Sequence, residues 1–289
     1  MVKKYNEVDF NNLEKVYMIA EIGINHNGDM GIAKRLIDGT FAVGWDCVKF
    51  QKRNPDVCVP EEQKNVPKET PWGKMTYLEY KKRMEFEKKE FDYIDGYCKE
   101  KPIDWTTSVW DLDSLEFMKQ YKVPYLKIPS AHLTNDELLI ASAKTEIPIL
   151  LSTGMSTIEE TDKAVELLKK HANQFALLVC NSAYPAKIDE LNLRQIPKLK
   201  ERYDCVIGYS GHEFGLDSTT MAVALGAQII ERHITIDHAM WGTDQSASVE
   251  IQGMDKLAKQ IRSVPKMLGD GEKKVFESEL SARKKLRGY

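Results

Sequence analysis

Short apolar segments alternate with longer amphipathic ones along this chain, and they do so eight times. The apolar segments are YMIAEIGI (17–24), DCVKF (46–50), IDWTTS (103–108), YLKIPS (125–130), IPILLST (147–153), FALLVCN (175–181), CVIGYS (205–210) and AQIIERHIT (227–235). Each is short and rich in β-branched or aromatic residues, so each reads as a strand. The stretches between them place apolar residues at helical spacing over 30–43, 77–100, 112–121, 135–144, 158–171, 193–202 and 217–225, with a last helix at 254–268. Strand followed by helix, repeated, makes a parallel sheet, and eight repeats close it into a (β/α)8 TIM barrel of the α/β class. The 289 residues suit one such barrel, which typically takes about 250. A doubly wound open sheet is the alternative, but no GxGxxG follows the first strand.

Composition narrows the function classes. Apolar residues at 42% and charged residues at 29% supply a full core and a solvated surface. A net charge of −3 argues against a nucleic-acid partner. No apolar run is long enough to span a bilayer, and the first residues, MVKKYNEVDFNNLEK, lack the apolar core of a signal peptide. A cytoplasmic protein with no membrane contact is the expectation. Cys47, Cys58, Cys98, Cys180 and Cys205 are odd in number, with no CxxC pair, and are expected to be reduced structural thiols. Two connections exceed plain turns: 51–76, with Pro55, Pro60, Pro67 and Pro71, and 237–253, with HAMWGTDQSAS. Both follow strand C-termini, where barrels of this kind carry their sites. The tail EKKVFESELSARKKLRGY reads as a charged surface helix.

Polar residues should be rare in strands buried on both faces, yet the C-terminal ends of these strands carry them. The first ends on Glu21 with Asn25, His26 and Asn27 after it, and the second has Lys49 and Gln51. Lys127 and Ser130 follow, then Ser152, then Asn181 and Ser182 with Tyr184, then Ser210 and His212, and last Glu231 and His233. Lys49 and Gln51 share a face by strand alternation, as do Glu231 and His233. Two lysines among hydroxyls suit a small dianion; a Schiff-base lysine fits the same residues. His212 and His233, on consecutive strands, could ligate a divalent metal. His26 is a candidate third ligand, while NHNG reads equally as a turn.

AEIGINHNG (20–28), VKFQ (48–51), KIPS (127–130), LSTGMST (151–157), CNSAYP (180–185), GYSGH (208–212) and IERHITID (230–237) resemble the catalytic domain of the sialic acid synthase (NeuB-type) family. The resemblance runs in order along nearly every strand. It implies a transferase that condenses phosphoenolpyruvate with an N-acetylated hexose-type aldose, giving a nonulosonic 3-deoxy keto acid and phosphate. Carried over by motif, Lys49, Lys127, Ser130, Ser152, Ser182 and Ser210 would hold phosphoenolpyruvate. His212 and His233 would hold Mn2+ or Mg2+. Glu21 and Glu231 would be the catalytic acidic pair, and Gln51, Tyr184 and Asp244 would contact the sugar.

Three departures bear on the sugar. His132 stands where the family usually has an acidic residue, and Ser182 where members commonly have Asn. The family's small antifreeze-like C-terminal domain, which supplies an arginine across a dimer, would begin where Arg287, Gly288 and Tyr289 lie. The expectation is a single barrel over 1–289 without that domain. Its partners would be the two substrates, with a homodimer or a separate antifreeze-like protein compatible with the reading. The 237–253 loop is expected to close the site, with Trp241 as a cover. Two rival readings stand beside this one: a Schiff-base aldolase or lyase of 3-deoxy keto acids, and a non-catalytic barrel that binds a phosphorylated ligand.

Overall fold

Eight strands run parallel around one closed sheet in the computed structural model, which describes residues 5–287. The first four residues of the polar N-terminal stretch, and Gly288 and Tyr289 of the tail, lie outside the described residues. The strands are β1 (Tyr17–Gly23), β2 (Cys47–Lys52), β3 (Asp104–Val109), β4 (Leu126–Ile128), β5 (Ile149–Ser152), β6 (Phe175–Cys180), β7 (Val206–Gly211) and β8 (Ile229–Thr235). Each pairs with the next, and β1 pairs back onto β8 from Tyr17↔Ile229 to Glu21↔His233, which closes the barrel. A two-residue strand, Val249–Glu250, adds to β8.

Helices α1 (Met30–Ala42), α2 (Lys88–Glu100), α3 (Leu112–Met118), α4 (Asp136–Ala143), α5 (Ile158–His171), α6 (Gln195–Arg202), α7 (Asp217–Ala224) and α8 (Ile251–Leu268) follow the strands in turn. Local chemistry sets their ends. Asp29 accepts the Gly31 and Ile32 N–H groups at the start of α1, and Thr157 with Glu160 forms a capping box on α5. Helical spacing sets what they bury: Met254, Leu257, Ala258, Ile261 and Val264 form one stripe of α8 against the sheet.

The period-two alternation of the strands divides the core and places the site. Outward residues such as Met18, Ala20, Ile22, Val48, Phe50, Leu151 and Ile230 join the large cluster between sheet and helices. Inward residues near the strand starts, Tyr17, Ile19, Cys47, Tyr125, Leu150, Ala176, Leu178 and Ile229, fill the barrel's lower half, with Phe10 alongside. The next inward positions along the same strands are polar: Glu21, Lys49, Lys127, Ser152, Cys180 and Glu231. The barrel is therefore plugged by apolar side chains below and lined by charged ones above.

Two regions differ from the sequence expectation. The helix expected over 77–100 is two helices, Tyr77–Met84 and α2, broken at Glu85, Phe86 and Glu87. Phe86 turns inward and stacks on His26 at 3.9 Å between ring centroids, Glu85 pairs with Arg53 at 2.7 Å, and Glu87 starts α2 with a capping box to Glu90. The connection 51–76 holds short helices at Pro55–Cys58 and Glu61–Lys64 and an antiparallel hairpin, Pro67–Thr70 with Gly73–Thr76. Among the described residues no helix is long and apolar enough to cross a membrane. The tail forms a helix, Glu277–Arg287, with no buried residue.

Candidate active site

The upper half of the barrel opens into a cavity that gathers twelve of the thirteen residues carried over by the family motifs; of these, Asp244 is the exception. At its floor lies a buried charge cluster. Lys49 Nζ is 2.6 Å from Glu21 Oε2 and 3.7 Å from Glu231 Oε2, and donates to Ser108 Oγ at 2.8 Å. Lys127 Nζ reaches Glu231 Oε1 at 3.1 Å, to which Ser210 Oγ also donates at 3.0 Å. Gln51 Nε2 donates to Glu21 Oε1 at 3.0 Å. The strand register makes this cluster, since Glu21 sits opposite both Lys49 on β2 and His233 on β8.

The two carboxylates are driven apart electrostatically. Burial pushes Glu231 up, but Lys127 and Lys49 outweigh it and hold the group down at about 2. Burial pushes Glu21 up as well; Lys49 opposes this, Glu231 adds to it, and the net direction is up. Burial pulls Lys127 below its ordinary value despite Glu231. Lys49 ends above its ordinary value, because two carboxylates outweigh its burial. Carboxyl groups with opposed shifts in one cavity are the usual arrangement for dividing acid and base roles.

A hydroxyl cradle lies beside the lysines. The Gly154 N–H donates to Ser130 Oγ at 3.0 Å, and Ser130 Oγ is 3.2 Å from Cys180 Sγ. A side chain at Gly154 would collide with Ser182 Oγ and Ser130 Oγ, so glycine is what leaves this cradle open. Clustered hydroxyls next to ammonium groups suit the oxygens of a small dianion.

The histidines occupy the opposite wall. His212 Nδ1 is 2.6 Å from the Asn181 carbonyl oxygen. A carbonyl only accepts, so Nδ1 carries the proton and Nε2 keeps a lone pair, which takes the Tyr184 hydroxyl at 2.9 Å. Burial, then His233, pushes His212 down to about 4, and burial lowers His233 too. Both rings are therefore neutral near pH 7. Their centroids are 5.5 Å apart, His233 Nδ1 is buried with no hydrogen-bond partner, and Asp244 Oδ2 is 3.9 Å from it. Two neutral imidazoles, one with a nitrogen fixed as an acceptor and one with an orphaned nitrogen, fit a divalent ion with open positions. Among the described residues no group of three or more His, Cys, Asp or Glu side chains is placed to hold one.

Some expectations are redirected. His26 gives its Nδ1 to the Gly28 N–H at 3.0 Å and its ring to Phe86, so it belongs to the turn rather than to the histidine pair. Trp241 does not line the cavity; it packs on Trp72 and Tyr80 and locks the 237–253 loop to the hairpin. Cys180, expected as a structural thiol, lines the cavity. Ser108, Trp110 and Arg53 were not singled out. Ser108 was within reach, because alternation along β3 puts it on the face of Thr106. Arg53 was not, because its hydrogen bond to Gln51 Oε1 and its place 4.8 Å over the Trp110 ring depend on the fold.

Known proteins bear on this geometry. The chain is 36% identical to the N-acetylneuraminate-9-phosphate synthase of Homo sapiens over 273 residues, 93% of this chain and 76% of that protein. It is also 36% identical to the N,N'-diacetyllegionaminic acid synthase of Campylobacter jejuni, over 92% of this chain and 81% of that one. The crystal structure of an N-acetylneuraminic acid synthetase from Leptospira borgpetersenii in complex with citrate superposes with a TM-score of 0.85 at 32% identity, over 99% of both chains. A truncated 3-deoxy-D-arabino-heptulosonate 7-phosphate synthase from Thermotoga maritima, at 14% identity and a TM-score of 0.69, shares the fold alone. The NeuB family model matches residues 36–273, and with these relatives at this identity and coverage the chain belongs to the NeuB family.

Proposed function

We propose that this chain condenses phosphoenolpyruvate with an N-acetylated hexose-type aldose, releasing a nonulosonic 3-deoxy keto acid and inorganic phosphate. The observation that carries the reading is one cavity with two buried lysines and a hydroxyl cradle on one side and two neutral histidines on the other. Lys49 and Lys127, with Ser130, Ser152, Ser182 and Ser210, would bind the phosphate and carboxylate of phosphoenolpyruvate. Its methylene carbon then attacks the aldehyde carbon, forming the new C–C bond, and the aldehyde oxygen takes a proton. Positive charge develops at the enol carbon, water adds there and loses a proton, and the C–O bond to phosphate breaks. Glu231, ionised at neutral pH, sets a fixed negative charge against that positive carbon. Glu21, whose environment favours the protonated form, is the candidate to give and take the proton. Gln51, Tyr184 and Asp244 would orient the sugar. His212 and His233, with Asp244 beside them, would hold Mn2+ or Mg2+, which when bound would polarise the aldose carbonyl. The reading puts the enzyme in the cytoplasm, where phosphoenolpyruvate is made.

The test is phosphate release by the purified chain with Mn2+. Release that needs both phosphoenolpyruvate and an N-acetylated aldose, with a product mass equal to both substrates plus water minus phosphoric acid, is expected. Lys127→Met should raise the KM for phosphoenolpyruvate by about 10- to 150-fold, the worth of one charge-assisted contact. His212→Ala should lose Mn2+ binding measured directly by calorimetry. The depressed basicity of Lys127 is what a Schiff-base enzyme would need, so borohydride is added in parallel. A substrate adduct trapped on Lys127, or no phosphate release with any aldose, overturns the proposal.

A further inference from the structure

On the histidine side of the cavity Asp244 of the 237–253 loop lies 3.9 Å from His233, and that loop packs through Trp241 on the hairpin Pro67–Thr70/Gly73–Thr76 and the helix Tyr77–Met84. They meet through aromatic rings, with Trp241 at 5.4 Å from Trp72 and 5.5 Å from Tyr80. Two ammonium groups converge on this block. Lys68 Nζ lies 4.9 Å from the Tyr80 ring centroid and 6.0 Å from that of Trp241. Lys81 Nζ lies 5.1 Å from Tyr77 and 5.5 Å from Tyr80.

Neither lysine forms a salt bridge among the described residues, although neighbours on the same segments do: Lys74 pairs with Glu69 and Lys82 with Asp56. Arg53 adds a third cation within electrostatic reach of Lys81, and it is tied to the cavity through Gln51. The carboxylates that act on Lys81 are Asp244, which acts on His233 as well, and Glu85, already bound to Arg53. Burial, then Arg53, pushes Lys81 down to about 8, as befits a cation held without a matching anion. Asp244 thus links His233 to a pair of lysines that lie on an aromatic platform without a salt bridge.

An open-chain hexose has its carbonyl at one end and its primary hydroxyl at the other. With the carbonyl at the histidines, an ester on that hydroxyl lies as far from the bond-forming carbon as the molecule allows. We propose that Lys68 and Lys81 bind a phosphate monoester at the far end of the aldose, so that the acceptor is a hexose phosphate. This rests on the condensation reading above and specifies its second substrate. Overall similarity does not decide the matter, since a relative named for a 9-phosphate product and one named for diacetyllegionaminic acid are equally 36% identical.

The experiment compares a 2-acetamido-2-deoxyhexose with its 6-phosphate as acceptors, with phosphoenolpyruvate and Mn2+ supplied. The 6-phosphate should be preferred by about tenfold or more in kcat/KM. Lys81→Met and Lys68→Met should each raise the KM for the phosphorylated acceptor, and the double variant should bring the preference close to one. Lys81→Arg should keep most of it, and an unchanged KM for phosphoenolpyruvate reports an intact barrel in every variant. Equal kcat/KM for the two acceptors in the native chain, or a preference that survives the double variant, overturns this proposal alone. No phosphate release with either acceptor overturns the condensation reading and this proposal with it.

Discussion

At the turn after β1, His26 lies against Phe86 with ring centroids 3.9 Å apart, and its Nδ1 accepts the Gly28 N–H. Burial, then the neighbouring Arg53, pushes it down to about 3 from an ordinary value of 6.5. Above pH 6.5 the ring is neutral in both folded and unfolded chain, and the packing contributes fully. Below that, the unfolded chain takes up a proton that the folded chain refuses, so stability falls as pH drops from about 6.5 toward about 3. Each such group steepens the slope by up to about 1.4 kcal/mol per pH unit. His212, pushed down to about 4, acts in the same direction. Glu21, pushed up, acts in the opposite one over its own range, so a bare pH profile mixes the contributions. The discriminating measurement is the unfolding midpoint of the native chain and of His26→Phe between pH 7 and pH 5. The native chain should lose stability faster, and parallel profiles would show that His26 is not the group responsible.

The strands carry a comparable constraint at Gly208 of β7. Its inward position lies in the packed layer beneath the charge cluster, and an added Cβ would come within 2.5 Å of Leu178 Cδ2 and 2.7 Å of Ile229 Cβ. Leu178 and Ile229 belong to neighbouring strands that cannot spread without opening the barrel. Gly208→Ala should therefore cost about 1–3 kcal/mol, as overpacking does, read from urea unfolding. An unchanged midpoint would mean that the layer has slack. The same alternation is why so much of the fold and site was legible in the sequence. Inward positions ran apolar then polar along β1, β2, β4, β5 and β8, so Glu21, Lys49, Lys127, Ser152 and Glu231 announced a polar upper half. Where contacts are non-local the sequence was silent. The break between Tyr77–Met84 and α2 is set by Phe86 seeking His26 and Glu85 seeking Arg53, across more than thirty residues. Trp241 looked free to cover the cavity because nothing local revealed that Trp72 and Tyr80 would hold it. The platform of Lys68 and Lys81 was hidden for the same reason.

Closure of the whole barrel depends on how the last βα unit is tied to the first. The α8 helix does this with two hydrogen-bonded anchors besides its apolar stripe. Trp45 Nε1 donates to the Met254 carbonyl at 3.1 Å. Arg262 donates to the Val16 carbonyl at 2.6 Å and to Asp46 Oδ2 at 3.1 Å, and the Met18 N–H meets the same Asp46 carboxylate at 3.0 Å. Arg262 thus fixes the chain just before β1 and just before β2, next to the seam where β1 meets β8. Beyond Val264 nothing comparable is found among the described residues: Met267 and Leu268 are exposed, Gly269 ends α8 at a positive φ of 64°, and the helix Glu277–Arg287 buries no residue. The two parts of the C-terminal region should therefore respond oppositely to shortening. A chain ending at Gly269 should unfold at the same urea concentration as the native chain and keep its KM for phosphoenolpyruvate. A chain ending at Ala258 loses Ile261, Arg262 and Val264 together, exposes the β1–β8 seam, and should fail to give a cooperative transition. If the chain ending at Gly269 is instead destabilised by more than about 1 kcal/mol, the apolar residues of the tail, Phe276 and Leu280 among them, are buried in solution against another surface, since exposed substitutions ordinarily stay within about 0.5 kcal/mol. Sedimentation of the native and shortened chains then tells a second copy of the chain from a fold-back onto the same barrel.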